Sequence, residues 1–325
     1  MSKFTPVKKS QPTSSDVHID APLSNISTAY LQTAEQFVST RVFPRVPVAK
    51  QSDKYFTYTK GDWRRNIVKQ RPPGTESAGS GYGMSNDNYF CDVYALHKDI
   101  PDQVRANADA IVNVDRDAAE WLMQMFLIHK EAAWASAFFA TGVWDTDVTG
   151  GTDFTVWSNA SSDPEADIDT GKDAILQNTG YEPNTLVVSL ATHRALKRHP
   201  LIRDKYKHTS AGNISSSLIA AALEVDNYMV ARASYNTADE GATDSNSMIM
   251  GNNALLCYVN PNPSPLTPSA GYSFVWNGLT GMSEIEAAIT TFRMQKIKSD
   301  RIEGEFAWDH KQVGSDLGYF YSGTV

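Results

Sequence analysis

Cysteine is nearly absent from this sequence: Cys91 and Cys257 are the only two in 325 residues. Two thiols this far apart make no disulfide framework, which excludes a small stapled extracellular fold and fits a reducing compartment. Long apolar runs are lacking too, and nothing in the chain is both long and apolar enough to cross a bilayer as a helix. Met1–Asp20 has no apolar centre of the kind a secretory signal needs. An excess of positive charge is also missing. The net charge is −8, which excludes a general nucleic-acid binder.

Signatures of catalysis are missing in the same way. Asp145–Gly150 (Asp-Thr-Asp-Val-Thr-Gly) begins like a calcium-binding loop, but Val156 stands where the bidentate glutamate belongs. A solvated acidic loop is the favoured reading. Gly79–Gly83 (Gly-Ser-Gly-Tyr-Gly) lacks the Lys-Ser/Thr ending and following helix of a phosphate-binding loop, and reads as a flexible hairpin tip. His193, His199 and His208 have poor spacing for metal ligands on one helix face and read as part of a solvated basic surface. Neither cysteine carries a nucleophile signature, and no serine sits in a Gly-x-Ser-x-Gly elbow. No catalytic residue, cofactor or metal is therefore expected, and the chain does not read as an enzyme. A soluble hydrolase with scattered site residues is the remote alternative.

What the sequence does contain is length and one long uninterrupted helical pattern. At 325 residues the chain predicts two domains, and 41% hydrophobic with 20% charged residues is the composition of a folded globular protein. Between Pro101 and Gly142 there is neither glycine nor proline. Apolar residues recur there at helical spacing: Val114, Ala118, Trp121, Leu122, Met125, Ile128, Ala132, Ala135 and Phe139. Asp115, Arg116, Glu120, Lys130 and Glu131 between them give a wet side. The pattern predicts one helix of about 25 to 37 residues, roughly 40–55 Å long, against a usual mean of about 11–12 residues. Asp115–Thr141 is taken as its body, with Trp121, Leu122, Met125 and Ile128 as its packing residues.

Before this spine the chain reads as a polar arm over residues 1–28 and a short helix from Thr28 to Arg41. Next come an extended Val42–Val48 held by its prolines and a segment from Lys50 to Pro101. That segment has strands at Tyr55–Tyr58 and Asn88–Ile100 around a Gly/Ser tip, so it reads as an extended β-hairpin arm. A lone hairpin is marginal in water and needs another surface. Lys60, Arg64, Arg65, Lys69 and Arg71 alternate there with Tyr55, Phe56, Tyr58 and Trp63. Basic plus aromatic fits single-stranded nucleic acid, but the acidic balance favours docking on an acidic surface of a sister chain. Trp63, Arg64, Arg65, Lys69 and Arg71 are the interface candidates. After the spine, the acidic Ser162–Asp169 reads as a turn, followed by a short helix at Gly171–Thr179 and a buried strand at Thr185–Ser189. A basic helical stretch over Ala191–His208 precedes a helix at Ile214–Leu223 and strands at Tyr228–Ala233, Ser247–Met250 and Ala254–Val259. Beyond the breaker Asn260–Pro268 the pattern is β: Tyr272–Trp276, Ile285–Ser299, Arg301–Val313 and Gly318–Ser322.

Arm, hairpin, spine helix, αβ domain and returning β-rich end, in that order, resemble the major capsid protein of tailed bacteriophages (Caudoviricetes), the Hong-Kong-97-type fold. The passages Trp157–Ile168, Tyr181–Ser189, Leu196–Ile202 and Arg301–Phe320 are similar to that family's wording. The resemblance implies an α+β fold with an N-arm over 1–40 and an E-loop over 50–100. It implies a peripheral domain over 41–49, 101–169 and 270–313, and an axial domain over 170–269 and 314–325. It implies a structural protein of the virion that self-assembles into pentamers and hexamers. These close an icosahedral shell around double-stranded DNA, without sequence-specific binding and without a membrane, after assembly in the host cytoplasm. The arm is too short to hold a cleaved scaffolding segment, so a separate scaffolding protein is expected, with a portal and a possible decoration or cement protein. Lys60 and Lys69 are the hairpin candidates for crosslinking, but no sequence feature supports that reaction, and non-covalent assembly is expected. The alternative within the same fold is an encapsulin-like bacterial nanocompartment shell.

Overall fold

The structure, a computed structural model, describes residues 32–58, 60–108, 113–207, 214–262, 267–278 and 287–325. The arm expected over residues 1–31 lies outside the described residues. The described part of the expected Thr28–Arg41 helix is broken: a 3-10 turn at Ala34–Gln36 ends in an extended Phe37, and helix α1 is only Ser39–Val42. Pro44 and Pro47 then keep strand β1 (Arg45–Val48) extended.

Strands β2 (Ser52–Tyr58) and β3 (Met84–Phe90) pair antiparallel from Ser52↔Phe90 to Tyr58↔Met84, with the one-turn helix α2 (Lys60–Trp63) following β2. The hairpin is therefore real but shorter than expected. Asn88–Ile100 reads as one strand in the sequence and is two in the structure, because β4 (Asp92–Pro101) leaves the hairpin to pair with β13 (Ser299–Gln312). The break is Cys91. Its N–H donates to the Gln51 carbonyl (2.9 Å), and its fully buried thiol, pushed up to about 12 chiefly by burial, lies 3.7 Å from the Phe274 carbonyl.

Helix α3 (Asp102–Asn107) precedes the spine, α4 (Val114–Phe138), which has 25 residues. After β5 (Thr146–Thr149) comes α5, which runs from Pro164 to Thr179 and so starts seven residues before the Gly171 expected from the sequence. The reason is a cap: Asp163 accepts the Ala166 N–H (3.2 Å) and Pro164 occupies the first helical position. The basic stretch is two helices, α6 (Leu190–Arg198) and α7 (Pro200–Lys205), separated at an extended His199 that precedes Pro200; His208 lies outside the described residues. Helix α8 (Ser216–Ala222) and strands β6 (Thr185–Ser189), β7 (Asn227–Ala231), β8 (Ser234–Asn236), β9 (Asn246–Met248) and β10 (Ala254–Cys257) complete the αβ part. The C-terminal β region is β11 (Gly271–Trp276), β12 (Ala287–Met294), β13 and β14 (Gly318–Ser322).

The chain forms two compact units. In their described parts, one holds Val93–Leu127 and 287–307, and the other holds Thr33–Asp92, Ile128–Gly278 and Trp308–Val325.

The larger unit is built on the sheet β5-β14-β10-β6-β7, parallel at its two outer pairs and antiparallel within. Every residue of β6 and β10 is buried. Strand alternation divides the core in two. Leu186, Val188, Leu256 and Tyr321 face Ile168 and Ile175 of α5, Leu196 of α6 and Ile219 of α8. Val187, Leu255 and Phe320 join Trp134 and Phe138 from the C-terminal half of α4, with Phe43. Helix α5 lies so close to the sheet that a Cβ on Gly171 would come within 2.3 Å of the Tyr321 hydroxyl, so only glycine fits there. The same unit contains a fully buried carboxylate. Glu131 on α4 accepts the N–H groups of Val38 (3.0 Å) and Ser39 (2.8 Å) at the start of α1. Burial raises its pKa, and these N–H donors oppose that shift by favouring the charged form.

In the smaller unit, β12 pairs antiparallel with the first part of β13, from Ala287↔Phe306 to Met294↔Ser299. Phe126 packs against Phe306 with the rings tilted by 40° and their centroids 4.2 Å apart, and has room because Gly304 has no Cβ to meet its ring at 2.5 Å.

Candidate assembly interface

The hairpin exposes most of what it carries. Along β2 and β3 only Tyr89 is buried, whereas Phe56, Trp63, Tyr82 and Met84 are all more than half exposed. Its root is fastened inside its own unit. Tyr89 stacks on Phe274 at 4.6 Å, Tyr55 lies 5.6 Å from the same ring, and the Phe90 N–H donates to Asp309 (3.0 Å). Burial raises the Asp309 carboxyl, and burial followed by the Asp87 hydrogen bond raises the Tyr55 phenol.

Beyond the root, Tyr58, Trp63 and Tyr82 form an aromatic cluster with centroids 5.0 to 6.1 Å apart. Tyr55, Phe56, Tyr58, Trp63, Tyr272 and Phe274 line a groove of about 810 Å³. Lys60 pairs with Asp316 (2.5 Å). The Arg64 guanidinium donates to the carbonyls of Gln177 (3.1 Å) and Asn178, which end α5. A cation there meets both unpaired carbonyls and the negative end of the helix dipole. Arg65 lies 3.5 Å from Asp62, and Arg71 donates to the Thr75 carbonyl. Lys69 is exposed. The structure thus brings Trp63 and Arg64 onto one groove, while Arg65, Lys69 and Arg71 lie on exposed chain. Lys60, already noted in the basic run, and Asp316, which the sequence did not single out, join the groove; their 256-residue separation left no local signal for the pair.

The spine residues separate in a similar way. Leu122 is fully buried, but Trp121 is 38% exposed, with the Lys98 ammonium 5.6 Å from its ring centre. Met125 and Ile128 are half-buried. The inward line runs through Ala118, Leu122 and Phe126 instead, spaced by one turn. Trp121 is apolar enough to be grouped with Leu122 as a packing residue, but helical phase turns it outward, where its indole lies beneath a lysine.

Charges also organise the smaller unit. Arg293 spans Asp102 (2.5 Å) and Asp300 (3.1 Å), Arg105 reaches Asp115 (2.6 Å) and Asp300, and Arg301 holds Asp99 in a fork (2.7 and 2.9 Å). The facing guanidinium hydrogen bonds hold Asp99, Asp102 and Asp300 below the usual carboxylate range. Among the described residues no group of His, Cys, Asp or Glu could hold a metal ion, and no helix is long and apolar enough to cross a membrane. The Asp145–Gly150 loop spends its acids on its own backbone and neighbours: Asp145 accepts from Ser315 and Asp147 from the Gly142 N–H.

No family model matches the chain. It is similar to the major capsid protein of Burkholderia phage BcepMu, at 24% identity over 94% of this chain and 96% of that protein. It is also similar to the major capsid protein of Pseudomonas phage JBD67, at 26% identity over 94% and 97%. Among solved structures, a phage-related protein of Bordetella bronchiseptica RB50 superposes with a TM-score of 0.68 at 24% identity, covering 90% of this chain and 94% of that one. The capsid of cyanophage P-SCSP1u gives 0.61 at 10% identity over 99% of both chains. An encapsulin of Synechococcus elongatus gives 0.57 at 8% identity over 93% and 92%. Similarity in sequence along nearly the full length, and superposition on solved phage capsid proteins, show that this chain is similar to phage major capsid proteins and has their fold, consistent with the Hong-Kong-97 type.

Proposed function

We propose that the chain is a major capsid protein, the structural subunit of a phage shell. The observation that carries this reading is the pair of phage major capsid relatives, aligned over 94% of this chain. Copies assemble into pentamers and hexamers that close an icosahedral container around double-stranded DNA. The protein lies in the virion once assembled and in the host cytoplasm beforehand. It has no catalytic role. A separate scaffolding protein, a portal and a decoration or cement protein are its proposed partners. Residues 1–40 serve as N-arm and 50–100 as E-loop. A peripheral domain takes 41–49, 101–169 and 270–313, and an axial domain takes 170–269 and 314–325.

The physical basis is the exposed hairpin. Trp63, Arg64, Arg65, Lys69 and Arg71 present aromatic and cationic surface that a single copy leaves largely in water. An interface core is enriched in aromatic residues and arginine. Contacts that repeat around a rotation axis close rings, and many modest contacts per subunit sum to a stable shell. Electron microscopy of the purified chain tests this: closed shells are expected, and a strictly monomeric elution profile with no particles would refute it. Boiled denaturing gels should show monomer-sized chains only, whereas a ladder would overturn non-covalent assembly. The encapsulin reading has the shared fold behind it but only 8% identity. Particles holding a cargo enzyme and no DNA would favour it.

A further inference from the structure

The sheet β5-β14-β10-β6-β7 ends in strands that, among the described residues, are paired on one side only: β5 at one edge and β7 at the other. Both edges belong to the larger unit. Beside β7, His193 of α6 packs on Tyr228, with ring centroids 5.7 Å apart and Nδ1 3.0 Å from the phenol oxygen. Arg232, just past the end of β7, and Lys197 and Arg194 of α6 surround that histidine. Burial first, and then these three cations, push its pKa down. Arg194 and Arg232 are exposed and Lys197 is half-buried. None of the three makes an ion pair among the described residues. Lys197 lies in the last turn of α6, where the helix dipole favours a cation, but Arg194 and Arg232 have no such cause. Glu224 and Asp226 precede β7 and belong to its opposite end.

The β5 edge carries the opposite sign. Asp145 precedes the strand, Asp147 lies within it and Asp153 follows it after a turn. Their oxygens meet neutral donors: Asp145 accepts from the Ser315 hydroxyl (2.6 Å), Asp147 from the Gly142 N–H and Asp153 from the Thr149 N–H (2.8 Å). None of the three is paired with a cation among the described residues. Asp145 and Asp153 are exposed and Asp147 is half-buried. One sheet thus holds cations without carboxylates at one edge and carboxylates without cations at the other.

We propose that the β7 edge of one copy docks on the β5 edge of the next, with Arg194, Lys197 and Arg232 facing Asp145, Asp147 and Asp153. Resting on the capsid reading above, the docking gives the contact between copies a direction. Like edges repel, so a two-fold contact of β7 on β7 or β5 on β5 is disfavoured. Unlike edges attract, and a head-to-tail contact of this kind closes into a ring when the rotation allows it. Charges placed so steer encounter and fix register more than they add affinity. The hairpin and its groove take no part in this contact.

Two charge-reversed full-length chains test the docking. R194E/K197E/R232E has two acidic edges, and D145K/D153K has two basic ones. Alone, each should stay folded by circular dichroism and form about tenfold fewer rings and particles than the parent, or none. Mixed in equal amounts, the two chains can meet only in alternation. Native mass spectrometry should then show rings of even number restored and rings of odd number still missing. Should D145K/D153K fail to fold, the parent supplies a second reading: its rings should fall apart as salt rises from about 0.05 M to about 0.5 M. A parent that forms neither rings nor particles refutes the capsid reading and the docking with it. A parent that assembles while R194E/K197E/R232E assembles equally well overturns the docking alone. So do a mixture of two folded chains that restores nothing or restores odd-numbered rings, and parent rings indifferent to salt. Intact assembly of R194E/K197E/R232E with loss of duplex DNA binding would mark the β7 edge as a polyanion surface and overturn it too.

Discussion

The central sheet and the hairpin arm differ in what surrounds them. In β6 and β10 all nine residues are buried, and each strand serves two cores at once through its alternation. In β2 and β3, which are longer, only Tyr89 is buried. The sheet makes its own environment. The arm has a root in one and leaves the rest of its apolar surface in water, so its stability rests on what it meets. A mutation in the sheet should therefore be felt in every copy before assembly. A mutation in the arm should be felt mostly when copies meet.

The largest expected effect lies at the spine and sheet. Leu122→Asp should prevent folding, since a buried carboxylate has no partner there. Trp121→Asp one position away should leave a folded chain with reduced stability. Circular dichroism and solubility distinguish the two, and equal loss in both would break the phase assigned to α4. Leu255→Ala, at a fully buried position, should cost about 2–5 kcal/mol in denaturant unfolding. Removing the Glu131 acceptor with Glu131→Ala should cost about 1–3 kcal/mol per N–H left unsatisfied, and Glu131→Gln should recover part of it. Gly304→Ala should cost about 1–3 kcal/mol by crowding Phe126, and Phe126→Leu in the same chain should relieve it. Trp63→Ala should change unfolding of the unassembled chain by less than about 0.5 kcal/mol while lowering the yield of particles in micrographs. A stability loss as large as that of Leu255→Ala would mean that the arm is core and not interface.

The smallest effect concerns pH. Asp99, Asp102 and Asp300 have depressed pKa values. Their contribution is present above the unfolded carboxylate range and is lost as pH falls through the lower folded values. Asp300→Asn should flatten the acid side of a stability–pH curve slightly, because the network lies near solvent and is screened.

Much of the fold was legible because its elements signal themselves locally. Thr185–Ser189 is a buried strand by sequence and in the structure, and the spine falls within the Pro101–Gly142 stretch that lacks internal glycine and proline. The misses have local causes as well. Asp163-Pro164 is a cap-and-start pair inside what composition reads as an acidic turn. Cys91 ends one strand and separates it from another with no breaker residue, since the division is made by which sheet each half joins. The groove was half legible. Trp63 and Arg64 announce an interface by type, but the end of α5 that Arg64 meets and the Asp316 that Lys60 meets are distant in sequence, and no spacing rule links them.

The fastened root of the hairpin has a mechanical consequence. Seven residues of paired strand reach about 24 Å at ~3.4 Å per residue. Stacking of Tyr89 on Phe274 and the Phe90–Asp309 bond hold the near end like a clamped beam. A tilt of about 10° at that clamp would sweep the far end through roughly 4 Å, about the strand spacing in a sheet. Copies that meet at slightly different angles must therefore take up the difference beyond Tyr58, in the turn that carries Lys60, Trp63 and Arg64, and not at the clamp.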